Sequence, residues 1–169
     1  MDHQRMNLNH IPPSVSHYLL PQRVLSDTWL FLRERGRHEI EAVVLWVGQV
    51  TDMQHAEVLA AIPPPQIAYR GEDGLAVEVP QDALTEFISA LPDAIHVLAR
   101  VHSHPGEAYH SALDDMNMLI SHHGAISIVV PDFARGAATL TGCSVNRLWP
   151  PHGWQELSTA AVSSLFHVA

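Results

Sequence analysis

Two histidines stand two positions apart in Val101-His102-Ser103-His104-Pro105-Gly106, and acids follow in Ser111-Ala112-Leu113-Asp114-Asp115. The apolar run over residues 95–101 reads as a strand leading straight into His102. Residues i and i+2 of a strand point to the same side, so both imidazoles can face one ion. Pro105 and Gly106 end the strand, which leaves the pair exposed at a sheet end, where open α/β folds place their sites. Asp114 falls in the first turn of a helix expected over about 111–120, on the same face as Ser111. Two histidines and one aspartate with an open fourth position describe a catalytic zinc site rather than a structural one. Taken singly, each part has a plainer reading, since Ser-x-x-Asp is an ordinary helix cap and most His-x-His pairs hold nothing. Both features within thirteen residues, joined by Pro-Gly, favour the metal. Hydrolysis at such a site also needs a base. Glu41 stands immediately before an apolar run over 42–47, with Glu39 as a nearby rival. Spacing alone leaves the two even.

These residues need a scaffold, and the rest of the chain supplies one. Residues 1–20, broken by Pro12 and Pro13, read as an N-terminal arm, and 21–169 as a single domain. A helix is expected over about 21–35, with Val24, Leu25, Trp29 and Leu32 on one face, Pro21 at its start and Gly36 at its stop. The continuous run 42–47, Ala-Val-Val-Leu-Trp-Val, predicts a strand buried on both faces. A further strand is expected over 55–61, a loop at Pro63-Pro64-Pro65, and a turn around Gly71–Gly74 flanked by strands. A helix follows over 81–91, then strands over 95–101, 126–130 and 138–148. A closing helix is expected after Gly153 through Leu157, Val162 and Leu165. Strands and helices alternate, which predicts an α/β fold with a mixed central sheet packed by helices.

Composition removes several classes of function. The chain has 169 residues with nine Lys and Arg against eighteen Asp and Glu, a net charge of -9. That balance disfavours nucleic acid and anionic membrane surfaces as partners. The single cysteine, Cys143, excludes an internal disulfide framework and a multi-cysteine metal site. The N-terminal residues lack the apolar core of a signal peptide, and no apolar run reaches the roughly 18 residues of a spanning helix. A cytoplasmic location is expected.

The segment His102-Ser103-His104-Pro105…Ser111-x-x-Asp114 resembles the JAMM motif of the JAB/MPN zinc metalloprotease family, of the bacterial type associated with ubiquitin-like conjugation systems. The upstream Glu41-Ala-Val-Val-Leu-Trp-Val-Gly48 resembles that family's Glu-x(6)-Gly strand, and the match selects Glu41 over Glu39. The run Ile126-Ser127-Ile128-Val129-Val130-Pro131-Asp132-Phe133 is similar to the strand that follows the metal helix in bacterial members. The resemblance spans roughly residues 24–149. Six residues separate His104 from Ser111, one fewer than is usual in the family, so Asp115 stands as the alternative carboxylate. Ser-x-x-Asp fixes both residues in one helical turn, which favours Asp114.

The resemblance implies an MPN, cytidine-deaminase-like α/β/α sandwich. It implies one Zn2+ per chain held by His102, His104 and Asp114, with Glu41 as general base and the Ser111 hydroxyl stabilising the oxyanion. The implied reaction is zinc-dependent isopeptidase or peptidase cleavage after the C-terminus of a ubiquitin-like protein. The implied partners are that protein's extended tail and the activating and conjugating enzymes of its pathway. The alternatives are a peptidase acting on sulfur-carrier or amino-acid adducts, and a non-catalytic binding module stabilised by zinc. No covalent intermediate is needed in the hydrolytic readings, so Cys143 is expected to be a bystander.

Overall fold

The apolar run after Glu41 forms β2 (Val43–Val50), whose first six residues are buried. It lies between β3 (His55–Ile62) and β6 (His96–Ser103), antiparallel to both. The alternation of a strand sorts its side chains to opposite faces. Val44 and Trp46 join one apolar cluster with Val24, Leu25, Trp29 and Leu32 of α1 (Gln22–Gly36). Val43, Leu45 and Val47 join a second, with Leu84 of α2 (Gln81–Ala90). A continuous apolar strand is therefore what a sheet covered on both sides requires. The buried Trp46 indole donates to Thr28 Oγ1 at 2.9 Å, and Thr28 donates in turn to the Val24 carbonyl at 2.7 Å. No polar atom of that contact is left unpaired at the α1 interface.

The computed structural model describes residues 11–72, 74–111 and 120–169. The remaining elements are β1 (His17–Leu20), β4 (Ile67–Gly71), β5 (Gly74–Glu78), β7 (Ile126–Val130), a 3-10 turn (Asp132–Ala134), β8 (Ser144–Leu148), β9 (Trp154–Glu156), α3 (Thr159–Leu165) and β10 (Phe166–Val168). The main sheet runs β10-β1-β3-β2-β6-β7-β8-β9, and β4-β5 form a separate hairpin. β6 pairs parallel with β7, while β7 pairs antiparallel with β8. The sheet is mixed and helices cover both faces, as expected for an α/β/α sandwich. Among the described residues no helix is long and apolar enough to cross a membrane.

Three expectations change on contact with the structure. The arm over 1–20 does not extend across its second half, because Ile11 and Val15 are buried and β1 pairs with β3 and β10. The buried Arg147 side chain holds this stretch by donating to the carbonyls of Pro13 and Val15. The strand expected over 138–148 begins only at Ser144, since the chain turns at Gly142 (φ +83°) and Cys143 N bonds Leu140 O at 3.1 Å. The expected closing helix is shorter than predicted and lies between two strands. Ser158 caps it by accepting from Ala161 N at 3.2 Å, and β9 and β10 flank it. α1 does end at Gly36 as expected, while the left-handed conformation falls later, at Glu39 (φ +56°). Gly36 gives room to Phe133, whose Cβ lies 2.3 Å from where a Cβ on Gly36 would stand.

Candidate metal centre

β6 delivers the two histidines. His102 is within the strand and His104 just past its end, and their Nε2 atoms lie 3.2 Å apart. Sequence spacing expected the pair to be exposed, yet His102 is 4% and His104 6% exposed. The loop after β6 folds back over them, and the Tyr109 ring meets His104 edge-on at 4.9 Å between centroids.

The loop is clasped from below. His104 N donates to Val130 O at 2.9 Å, Phe133 N to His104 O at 2.8 Å, and Asp132 N to Gly106 O at 2.9 Å. The clasping residues Asp132, Phe133 and Ala134 all carry positive φ, between 51° and 57°. Non-glycine residues held there cost about 1–3 kcal/mol each, so surrounding contacts must hold the turn in place. Phe133 seated in the space left by Gly36 is one such contact.

Glu41 is fixed beside the pair by its neighbour. Ala42 N donates to Ser103 Oγ at 3.3 Å, and Ser103 N donates to Ala42 O at 3.1 Å. Ser103, fully buried between the two histidines, thus ties the start of β2 to the end of β6. Sequence reasoning missed this role. The signal lay in its position, since the residue between two ligands on one face of a strand must point to the opposite face of the sheet. Gly48, seven residues beyond Glu41, sits at a register shift between β2 and β3. A Cβ there would stand 1.9 Å from the Glu57 carbonyl oxygen, so close strand approach requires glycine.

Glu41, His104 and Ser111 line one cleft of about 320 Å³, with Glu107 and Tyr109 on the loop side and Gly74 and Leu75 of the hairpin opposite. Glu41 is buried. The rival Glu39 points outward, 71% exposed, and pairs with Arg70 at 3.3 Å. Asp114 and the alternative Asp115 lie outside the described residues, as does the helix expected over 111–120 apart from its two ends, Ser111 and Ile120. Cys143 belongs to a separate pocket with Thr139, Leu157 and Phe166, where burial pushes its thiol up to about 12. A thiol so resistant to ionisation is a poor nucleophile.

The histidine pair fits a metal ion. Two nitrogens each about 2.0–2.1 Å from one tetrahedral ion lie roughly 3.3–3.4 Å apart, close to the 3.2 Å observed. Imidazole nitrogens with a nearby carboxylate form a donor set suited to zinc. Among the described residues no third side chain of a ligating type completes the pair.

Known proteins bear on this geometry. No protein-family model matches the sequence. The probable metalloprotease y4jG of Sinorhizobium fredii is 33% identical over 150 residues, covering 88% of this chain and 92% of that one. Among solved structures, protein DSY2949 from Desulfitobacterium hafniense shares the fold with a TM-score of 0.57 at 17% identity, over 90% of this chain and 92% of that one. AF2198, a JAB1/MPN domain protein from Archaeoglobus fulgidus, aligns with a TM-score of 0.49 at 13% identity, over 91% of this chain and 99% of that one. With that metalloprotease relative matched along most of both chains, and with the motif His102-Ser103-His104-Pro105 set at the end of a buried strand beside Glu41, the chain belongs to the JAMM (JAB/MPN) metalloprotease family.

Proposed function

We propose that this metalloprotease is a zinc-dependent isopeptidase that cleaves after the C-terminus of a ubiquitin-like protein, in deconjugation or precursor trimming. The observation that carries the reading is the cleft itself, which sets Glu41, His104 and Ser111 against Gly74 and Leu75 of the hairpin. An extended tail can add to a strand edge through main-chain hydrogen bonds, and β4–β5 stands apart from the main sheet as such an edge. Small residues at the end of the tail let its backbone come close to the histidines.

His102, His104 and Asp114 would hold the zinc ion, which supplies Lewis acidity toward the scissile carbonyl and toward water. Glu41 accepts the proton of the attacking water and passes it to the leaving amine. Its burial beside the cleft keeps bulk water from competing for that proton. The Ser111 hydroxyl donates to the oxygen on which negative charge develops, where a preorganised donor has its largest effect. The acidic chain and its partner's tail meet without any requirement for a basic face.

The test is cleavage of the cognate ubiquitin-like protein joined through its C-terminal glycine to several unrelated leaving groups. Comparable rates across those groups are expected, with collapse when the glycine is made bulky. Glu41→Gln should retain zinc by elemental analysis and lose nearly all turnover. Ser111→Ala should lose about 100-fold, the effect of one missing oxyanion donor. Efficient cleavage of short peptides or amino-acid adducts with no ubiquitin-like body would replace this reading with the sulfur-carrier or small-peptidase one. Zinc bound with no turnover on any of them would leave a binding module.

A further inference from the structure

A charged side chain lies inside the sheet one step behind the metal centre. Arg100 precedes His102 by two positions on β6, so the two share a face. It is 3% exposed and stands in register between Leu45 of β2 and Ser127 of β7. A buried guanidinium is costly in such a place, and an apolar residue of similar size often serves stability better. Its contacts explain what it does there.

Arg100 Nε donates to Ser127 Oγ at 2.9 Å. Arg100 Nη2 lies 3.0 Å from His110 Nε2. Arginine has no acceptor, so His110 must offer a lone pair at Nε2, which makes it a neutral ring carrying its proton on Nδ1. Trp154 of β9 covers both groups. The Arg100 guanidinium carbon is 5.3 Å from the Trp154 ring centroid, and the His110 ring lies 5.0 Å from it at 36°. One aromatic plate therefore holds a guanidinium and an imidazole together, and neither lies in the cleft described above.

His110 is the residue before Ser111. Residues 105–111 contain no helix or strand, so their placement depends on side-chain and backbone ties. The clasp by Asp132 and Phe133 fixes the start of this loop at His104 and Gly106; its far end has the His110 contact. We propose that Arg100 is a positioning residue, which with Ser127 and Trp154 grips His110 and thereby sets where the Ser111 hydroxyl stands relative to His102 and His104. The inference rests on Ser111 acting as the oxyanion donor. A displacement of about 1 Å at such a group is worth on the order of 100-fold in rate, so an internal arginine has a functional reason to be kept.

The test compares His110→Ala, His110→Gln and Arg100→Lys, alone and with Ser111→Ala. Glutamine keeps an acceptor oxygen for Arg100, while alanine removes it. His110→Ala should raise amide hydrogen exchange across 105–111 about tenfold, with melting temperature and bound zinc unchanged. Its kcat on the ubiquitin-like fusion should fall about 10–100-fold with KM nearly constant. His110→Gln should recover most of that loss, and His110→Ala should cost nothing further once Ser111 is alanine. Unchanged exchange and turnover in His110→Ala would overturn the proposal. So would an equal loss in the Ser111→Ala background, which would mean a role independent of that hydroxyl. If Arg100→Lys does not fold, the two His110 variants carry the test. Full turnover in Ser111→Ala would remove the oxyanion role instead, and the exchange measurement would still decide whether His110 anchors the loop.

Discussion

The two walls of the cleft are built differently. The loop from His104 to Ser111 is tied by three backbone hydrogen bonds to β7 and the turn after it, and by a buried arginine at its far end. The hairpin opposite has lighter ties. Val77 is its buried apolar residue among those described, while Ile67 and Tyr69 are each 48% exposed. Val77 packs with Val43, Leu45 and Val47 of β2, and the hairpin's polar ties among the described residues include the Gln66 side chain, which accepts from Val43 N at 2.8 Å and donates to Val43 O at 2.9 Å, and the exposed Arg70–Glu39 pair. In the proposed reaction, one wall holds the groups that need sub-ångström placement. The other offers an edge whose adjustment costs little. Sites that combine fixed chemistry with a variable partner follow this division.

The comparison breaks most sharply if the fixed wall is pushed from behind. Gly36→Ala places a Cβ 2.3 Å from Phe133 Cβ and 3.1 Å from Phe133 O. Neither is the far end of a flexible chain, so the turn that clasps His104 must move. Overpacking of this kind costs about 1–3 kcal/mol. Thermal unfolding should show that loss, and affinity for the proposed zinc ion should fall about tenfold with it. A variant with wild-type stability and zinc affinity would mean that the clasp is softer than its three hydrogen bonds suggest.

The two walls also differ in how well the sequence discloses them. His102, His104 and the strand beneath them were readable because a period of two and an apolar run have few other meanings. β2 was readable for the same reason. The clasp was not, because Asp132, Phe133 and Ala134 adopt positive φ without a glycine to announce it. Their conformation is imposed by contacts with His104 and Gly36, which are distant in sequence. Arg100 and Trp154 were equally hidden, since a single charge in an apolar strand suggests an edge rather than a buried grip. Ser103 was passed over as the residue between two ligands. The first strand was read as part of an arm because its anchor, Arg147, lies more than a hundred residues away. Short-range patterns picked out the candidate residues; long-range contacts hold the described ones in place.

A smaller effect is expected where the hairpin joins β2. The pairing of β2 with β3 starts at Leu45, so Val43 relies on Gln66 for the backbone partners that a neighbouring strand would have given. Gln66→Leu keeps the bulk and removes both contacts. Losing them should destabilise the protein by about 1–2 kcal/mol, seen as a lower denaturation midpoint. On the ubiquitin-like fusion, KM should rise several-fold while kcat stays within about twofold, because the loop wall is untouched. A fall in kcat with KM constant would show that Val43, next in the chain to Ala42, transmits the change to Glu41, and the independence of the two walls would be lost.

The smallest effect should come from the outermost tie. Arg70 and Glu39 meet at 3.3 Å with side chains 66% and 71% exposed, and pairs of this kind contribute about 0.2–1 kcal/mol at low salt. Salt screens exposed charges over a Debye length of about 8 Å at physiological ionic strength, so the contribution should shrink further as salt is added. Glu39→Gln also separates the two acids that sequence spacing left even. Glu41 lines the cleft with His104 and Ser111, whereas the Glu39 carboxylate is turned to the solvent side. Glu39→Gln should therefore keep kcat within about twofold, and any rise in KM should vanish at high salt along with the ion pair. Arg70→Ala should behave in the same way, because it removes the same contact from the other side. Loss of turnover in Glu39→Gln beside an active Glu41→Gln would transfer the base to Glu39. It would also mean that the hairpin wall, through Arg70, governs the chemistry that the loop wall is built to hold.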